Sequence, residues 1–144
     1  HHLRDQVIYI NQKTSLFNTT IIENILYGNP KIKKQNIIDI IKKYHLESVY
    51  QGLPNGVLEE AGVNGANLSL GMQKVTILMR GIFKEGQIII FDEPLAGLDS
   101  ITREKIIKMI KNECNNKTVL IITHDKEIIP YCDKVVNIND IKYN

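Results

Sequence analysis

Two short stretches of the chain, residues 88–91 and 118–123, are apolar or nearly so, without the alternation of apolar and polar positions that marks a half-buried strand. Unbroken apolar runs of this length are typical of strands with both faces buried, as in a parallel sheet. Each run ends in polar residues, Asp92-Glu93 after the first and His124-Asp125 after the second. The pattern predicts two buried strands of one sheet, with chemistry-bearing side chains at their carboxyl ends.

Three further segments place apolar side chains three and four positions apart, which puts them on one face of a helix. These helices are predicted at residues 35–46, after Ser69 and at residues 100–111. Their apolar faces are Ile37, Ile38, Ile41 and Tyr44 in the first, Val75, Leu78, Met79 and Ile82 in the second, and Ile101, Ile106, Ile107 and Ile110 in the third. Residues 6–10 and 134–138 are predicted as additional strands. The elements together predict an α/β fold with a mostly parallel sheet.

Composition and charge bear on the size of the core, on nucleic-acid binding and on whether the chain could span a membrane. The chain has 144 residues, of which 43% are hydrophobic, which is enough for one domain with a substantial core. Its formal net charge of +2 is close to neutral and gives no indication of a nucleic-acid partner. No apolar run approaches the ~20 residues of a membrane-spanning helix, so we expect this stretch of chain to be soluble.

The strongest candidates for functional side chains lie at the end of the first apolar run. Pro94 ends the strand because it has no N–H for the ladder, which leaves Asp92 and Glu93 at the strand's carboxyl end. Open α/β sheets bind their ligands at this edge. A carboxylate at Asp92 suits Mg²⁺ held through water, and one at Glu93 suits a water molecule that attacks phosphorus.

Several motifs in this order resemble those of ABC transporter ATP-binding cassettes. Gln12 with residues 14–28 (TSLFNTTIIENILYG) resembles the Q-loop region of exporter-type members. Asp92-Glu93 resembles the Walker B element, Leu98-Asp99 the D-loop, and His124, directly after a strand, the H-loop histidine. The resemblance covers most of the chain.

Residues 67–73 (NLSLGMQ) stand where the family has its signature, Leu-Ser-Gly-Gly-Gln. A helix that begins there can offer free N–H groups to a phosphate, and Ser69 is a favourable N-cap. Ser69 and Gly71 match the motif. Leu70 replaces the first glycine, which places a branched side chain where backbone should approach a phosphate. Met72 replaces the glutamine that could complete a capping box with Ser69.

The phosphate loop of this family is not found in the chain. A Gly-x-x-x-x-Gly-Lys-[Ser/Thr] loop cradles the β- and γ-phosphates, and no glycine here is followed by lysine. We therefore expect the chain to begin partway into the cassette, shortly before the Q-loop. Without that loop, tight independent binding of ATP is not expected.

The resemblance implies a P-loop NTPase-like (RecA-like) fold, truncated at its N-terminus, with an inserted helical subdomain. Residues 13–86 would hold mainly the Q-loop and the helical subdomain, and residues 87–144 the α/β core. The implied cofactors are ATP and Mg²⁺. The implied site consists of Glu93 and His124 as catalytic residues, Gln12, Ser69, Gly71 and Asp99 as nucleotide contacts, and Gln12 with Asp92 at the metal.

The implied function is an ATPase that energises an ABC transporter from the cytoplasmic face of a membrane. Its partners would be a second nucleotide-binding domain, arranged head to tail, and the transporter's transmembrane domains. Two alternatives remain open. One is a soluble ABC ATPase outside transport, which the exporter-like segment 14–28 disfavours. The other is a catalytically degenerate module, which the altered signature and the missing phosphate loop favour.

Overall fold

The computed structural model describes residues 6–138, and these form an α/β fold around a small parallel sheet. The strands are β1 (Val7–Ile10), β2 (Ile88–Asp92) and β3 (Thr118–Ile122). They lie in the order β1-β2-β3, and both neighbouring pairs are parallel. The predicted α/β class, the parallel sheet and these three strands are confirmed.

The described part of the chain also contains four α-helices and four 3-10 helices. The α-helices are α1 (Ile21–Leu26), α2 (Lys34–Lys43), α3 (Leu70–Phe83) and α4 (Ser100–Glu113). The 3-10 helices are Leu46–Tyr50, Gly56–Leu58, Val63–Gly65 and Lys126–Tyr131. None of the helices within residues 6–138 has the length and apolar character needed to cross a bilayer.

Side-chain caps fix where three of the α-helices begin. Thr20 and Glu23 form a reciprocal capping box at α1, a Thr-x-x-Glu signal that the sequence analysis overlooked. The Ser69 hydroxyl accepts from the Met72 N–H at 3.2 Å, as predicted for α3. Asp99 starts α4 by accepting from the Thr102 N–H at 2.9 Å. These caps set the entry points of two helices beside the candidate site.

Helix α3 packs directly on one face of the sheet. A Cβ atom at Gly81 would lie 2.6 Å from Ile10 Cγ1 and 3.5 Å from Phe91 Cε1, so the absence of a side chain allows this close approach. Ile8, Ile10, Ile89 and Phe91 are buried on the face that α3 covers. The predicted core positions Val75, Leu78, Met79 and Ile82 are buried as well.

The opposite face of the sheet is largely open in the described structure, so the prediction of two buried faces is wrong. Tyr9, Ile90 and Leu120 are aligned across the three strands on this face. Tyr9 and Leu120 are exposed, and Ile90 is only partly buried. An apolar strand sequence is compatible with burial on both faces, but burial also requires a second covering layer. No described helix supplies that layer.

Two further predictions are wrong. Residues 134–138 form no strand: they pair with none of β1, β2 and β3, and Val135, Val136 and Ile138 are exposed. Ile101 is not on the buried face of α4: it lies in the helix's first turn and borders a cavity next to α3. The remaining predicted apolar positions of α4 are buried.

Arg80 connects α3 to the segment that precedes and includes α1. This arginine is only 6% exposed. Its Nε donates to the Asn24 carbonyl and its NH1 to the Ser15 carbonyl, each at 2.9 Å, and NH2 donates to Asn24 Oδ1. The guanidinium carbon also lies 4.6 Å from the centre of the Phe17 ring. One buried cation thus holds residues 15–24 against the helix that follows Ser69.

Candidate functional site

Glu93 follows β2 in an unusual backbone conformation. Its φ angle is +51°, which is uncommon for a residue other than glycine, and the residue after it is Pro94. Its N–H donates to the Ile122 carbonyl at 2.8 Å, which extends the contact between β2 and β3 by one residue. The chain turns sharply here, so Glu93 leaves the sheet at the carboxyl edge predicted from the sequence.

Three donors from the end of β3 hold the Glu93 carboxylate. The Thr123 hydroxyl donates to Oε2 at 3.0 Å, and the His124 backbone N–H donates to Oε1 at 3.3 Å. His124 Nδ1 lies 2.7 Å from Oε1; a carboxylate accepts here, so Nδ1 carries the proton. The Glu93 side chain is 17% exposed and that of His124 is 90% exposed. The structure therefore brings together the two predicted catalytic residues.

Asp92 ends β2 and is a partly buried residue. Its Oδ2 accepts a hydrogen bond of 3.4 Å from the Tyr9 hydroxyl. Gln12 lies in the turn after β1, exposed, near the same edge of the sheet; no hydrogen bond among the described residues joins it to Asp92 or Glu93. The structure does not bring these two predicted metal ligands into contact.

These residues fit a magnesium ion that is held mainly by water and phosphate. Residues 6–138 contain no group of three or more His, Cys, Asp or Glu side chains that could enclose a metal. Mg²⁺ in nucleotide sites needs only one or two protein oxygens, because water and phosphate complete its octahedron. The Asp92 carboxylate, at the open edge of the sheet, is suited to that role.

The other predicted nucleotide contacts border a separate cavity of about 350 Å³ between the starts of α3 and α4. Ser69, Gly71 and Asp99 line it. Apart from the adjacent residues and the backbone of its own helix, no heavy atom lies within 4 Å of the point where a Cβ on Gly71 would stand, so space for a ligand is available here. Leu70 is 81% exposed beside it.

Asp99 has a clear structural role. Its carboxylate accepts from both the N–H and the hydroxyl of Thr102, at 2.9 and 2.7 Å. These hydrogen bonds, chiefly the one from the Thr102 side chain, lower the pKa of Asp99 below its ordinary value. The structure places Asp99 next to the cavity, with its carboxylate engaged in capping α4.

Two residues of this site were missed by the sequence analysis. The Thr123 hydroxyl donates to Glu93 Oε2, and the position of Thr123 at the end of an apolar run, directly before His124, was an available signal. Lys74, in α3, donates from Nζ to the Glu93 carbonyl at 2.9 Å. No local sequence pattern pairs a lysine on a helix with a strand end 19 positions later. The contact is visible only in the folded structure.

Comparison with known proteins establishes the family. The profile of the family described as "ABC transporter" matches residues 1–96, two thirds of the chain. The chain belongs to the ABC transporter family. The predicted resemblance is confirmed, including its exporter-like character, since the relatives include ABC exporters.

Similar ABC proteins are several times longer than this chain. An ATP-dependent lipid A-core flippase of Saccharophagus degradans is 32% identical over 94% of the chain and 23% of its own length. A probable ABC transporter ATP-binding/permease protein of Haemophilus influenzae is 31% identical over 96% of the chain and 25% of its own length. The chain spans about a quarter of these ABC relatives.

A solved ABC structure shares the fold. The structure of a bacterial Atm1-family ABC exporter with ATP bound superposes with a TM-score of 0.74 and 28% sequence identity, over 88% of the chain and 22% of that protein. The P-loop NTPase-like class predicted for this ABC chain is confirmed.

Proposed function

We propose that this chain is part of the ATP-hydrolysing cassette of an ABC exporter, with Glu93 as the general base. The observation that carries the proposal is the Glu93 carboxylate, which Thr123 and His124 hold at the end of the central strand beside Asp92. Such a carboxylate is within reach of a phosphate bound at this edge of the sheet. The test is the loss of turnover in Glu93→Gln, argued in the Discussion.

In this proposal each residue at the edge of the sheet has a defined task. The Glu93 carboxylate orients the attacking water and accepts its proton. The Nδ1–H of His124 and the Thr123 hydroxyl fix the direction of that carboxylate, and the exposed His124 ring is accessible to a γ-phosphate. Asp92 and Gln12 would hold Mg²⁺, which when bound neutralises charge on the phosphates.

The cavity between α3 and α4 would serve the nucleotide of a second cassette in a head-to-tail dimer. The open backbone at Gly71 and the capped first turn of α3 support this role, because free N–H groups at a helix start attract phosphate. Ser69 and Gly71 would close over the partner's ATP, and Asp99 would lie beside it. The dimer would alternate between closed and open forms as ATP binds and is hydrolysed.

An exposed aromatic pair supports contact with transmembrane domains at the cytoplasmic face of a membrane. The rings of Phe17 and Tyr27 lie 4.4 Å apart, centre to centre, and both are exposed. They belong to the exporter-like segment, which Arg80 holds against α3. A fixed, exposed aromatic pair is typical of a protein-binding surface. A soluble ABC ATPase has no membrane domain to use this surface.

A second candidate is a degenerate module that binds nucleotide without turnover. The exposed Leu70 favours it, because a branched side chain stands where a phosphate would approach. Met72 offers no oxygen to accept the Ser69 N–H, so the cap of α3 has one bond and not two. The loss of one cap bond costs ~0.5–2 kcal/mol, which predicts a partial defect.

Restoring the signature tests whether Leu70 and Met72 reduce turnover at the site shared with the partner's cassette. We expect Leu70→Gly combined with Met72→Gln, in a complete dimer-forming cassette, to raise ATPase activity at the site shared with the partner's phosphate loop. Steady-state phosphate release is the measurement, and Leu58→Gly is a matched change at an exposed leucine outside the cavity. Unchanged or lower turnover, with the melting temperature preserved, would show that Leu70 and Met72 are adapted to this protein.

The 144 residues alone should bind Mg-ATP weakly. Gln12, Asp92, Glu93 and His124 contact the metal, water and γ-phosphate in the proposed site, whereas affinity in such proteins comes largely from the phosphate loop. No glycine of this chain is followed by lysine. Titration calorimetry of the 144-residue chain with Mg-ATP measures this directly. A dissociation constant in the low micromolar range would contradict the expectation.

A further inference from the structure

Lys74 is a half-buried lysine that donates a hydrogen bond to a backbone carbonyl at the end of β2. It lies one turn after Gly71 on α3, and its side chain runs toward the carboxyl end of β2. Its Nζ donates a hydrogen bond of 2.9 Å to the backbone carbonyl of Glu93. Burial lowers the pKa of Lys74, while the nearby carboxylates of Asp92 and Glu93 act in the opposite direction. A charged amine donates a stronger hydrogen bond than a neutral group does.

The carbonyl that Lys74 contacts belongs to a strained residue. Glu93 is a non-glycine residue with a φ angle of +51°, and such backbone conformations cost of order 1–3 kcal/mol. They persist only where the surroundings hold them in place. At Glu93, the Ile122 carbonyl holds the N–H, and the Ala96 N–H reaches the carbonyl at 3.3 Å. Of these three contacts with the Glu93 backbone, the hydrogen bond from Lys74 comes from α3, whereas the other two come from the end of β3 and from the turn after β2.

We propose that Lys74 is a positioning residue for Glu93: it holds the Glu93 carbonyl so that the carboxylate stays directed toward Thr123 and His124. This inference rests on the proposed function, since it assigns Lys74 a task through the general base. The direction of a residue's side chain depends on its φ angle, so a relaxed backbone at Glu93 would move the carboxylate away from its two partners. Lys74 itself contacts neither nucleotide nor water in this role.

The test uses the complete ATP-hydrolysing protein that contains this chain. Lys74→Met keeps the length and apolar stem of the side chain but removes the donor. We expect kcat to fall by about 10- to 100-fold, as for a small misplacement of a catalytic group, with KM for ATP nearly unchanged. Lys74→Arg keeps a charged donor and should recover most of the activity. In a Glu93→Gln background, Lys74→Met should cause no further loss, because both changes act on one group.

Lys117 supplies a matched control. It too is a half-buried lysine, and its Nζ donates to the Ile82 and Lys84 carbonyls at 3.0 and 2.7 Å, at the far end of α3. Lys117→Met removes comparable hydrogen bonds from the same helix, so we expect a lower melting temperature with kcat preserved. Equal effects of Lys117→Met and Lys74→Met on kcat would overturn the proposal, because they would reveal a general loss of stability.

The remaining outcomes separate the inference from the proposed function. If Glu93→Gln abolishes turnover and Lys74→Met does not change it, the positioning role is wrong and the general base stands. If Glu93→Gln keeps its turnover, the proposed function fails, and the positioning role fails with it. Should Lys74→Met not fold, Lys74→Gln repeats the measurement with a polar side chain too short to reach the carbonyl. A normal kcat in that folded variant would also overturn the proposal.

Discussion

Glu93→Gln should leave ATP binding nearly intact and reduce turnover by roughly 10²–10⁴-fold, the contribution typical of general-base catalysis. Glutamine has almost the same shape, its single amide oxygen can still accept from the His124 N–H, and its NH2 group can face the Thr123 hydroxyl oxygen as a donor. It cannot take a proton from water, so the chemical step alone is impaired. The measurements are steady-state phosphate release and equilibrium binding of Mg-ATP by the complete protein.

Glu113→Gln is the matched control for this change. The Glu113 side chain is 20% exposed, close to the 17% of Glu93, and its Oε1 accepts from Tyr44 and Lys43 at 2.6 and 2.8 Å. It lies at the end of α4, away from the sheet edge. We expect this variant to keep its turnover. Weak ATP binding with normal turnover per bound nucleotide in Glu93→Gln would contradict the assignment of a general base.

Arg80→Met should lower the free energy of unfolding by about 3 kcal/mol or more. The substitution removes three hydrogen bonds from a charged donor, and bonds of this kind contribute roughly 1.5–3 kcal/mol each. The Asn24 carbonyl would lose this donor in a buried setting, and the Ser15 carbonyl would lose it in a partly buried one. Methionine fills much of the same volume, so packing alone does not explain the loss. Equilibrium unfolding of the chain in urea measures the difference.

Arg103→Met serves as the comparison for Arg80→Met. Arg103 donates to the Leu98 carbonyl at 3.0 Å and pairs with Asp125 at 2.8 Å, and its side chain is 26% exposed. More exposed pairs contribute less because water competes for them. We expect the smaller loss at this position. A larger loss for Arg103→Met than for Arg80→Met would contradict the expectation that the more buried arginine contributes more to the free energy of unfolding.

Local sequence signals were sufficient for the three strands of the sheet and for the placement of Glu93 and His124 at one edge of it. Each of these residues follows an apolar run, and parallel strands bring their carboxyl ends to one edge. The α3 cap was predictable for a similar reason, because Ser69 precedes a segment with helical spacing. At Thr20 and Glu23, the capping-box pattern was present in the sequence and was overlooked.

Local sequence signals do not predict contacts between residues that lie far apart in the chain. Whether an apolar strand has one covered face or two depends on the layers around it, and the exposed row of Tyr9, Ile90 and Leu120 has no cover among the described residues. Arg80 is a charged residue in an apolar helix face, and its partners lie 56 and 65 positions away. Helical spacing also assigned Ile101 to the core, although the first turn of α4 faces a cavity.

Phosphate release by the complete wild-type protein shows whether the site at Glu93 hydrolyses ATP. Mg-ATP would be supplied in excess over protein, with bound nucleotide and released phosphate followed in the same sample. We expect many phosphates to be released per protein molecule, with ADP as the product. Stoichiometric binding of ATP with no release of phosphate would contradict it and would favour a degenerate nucleotide-binding module.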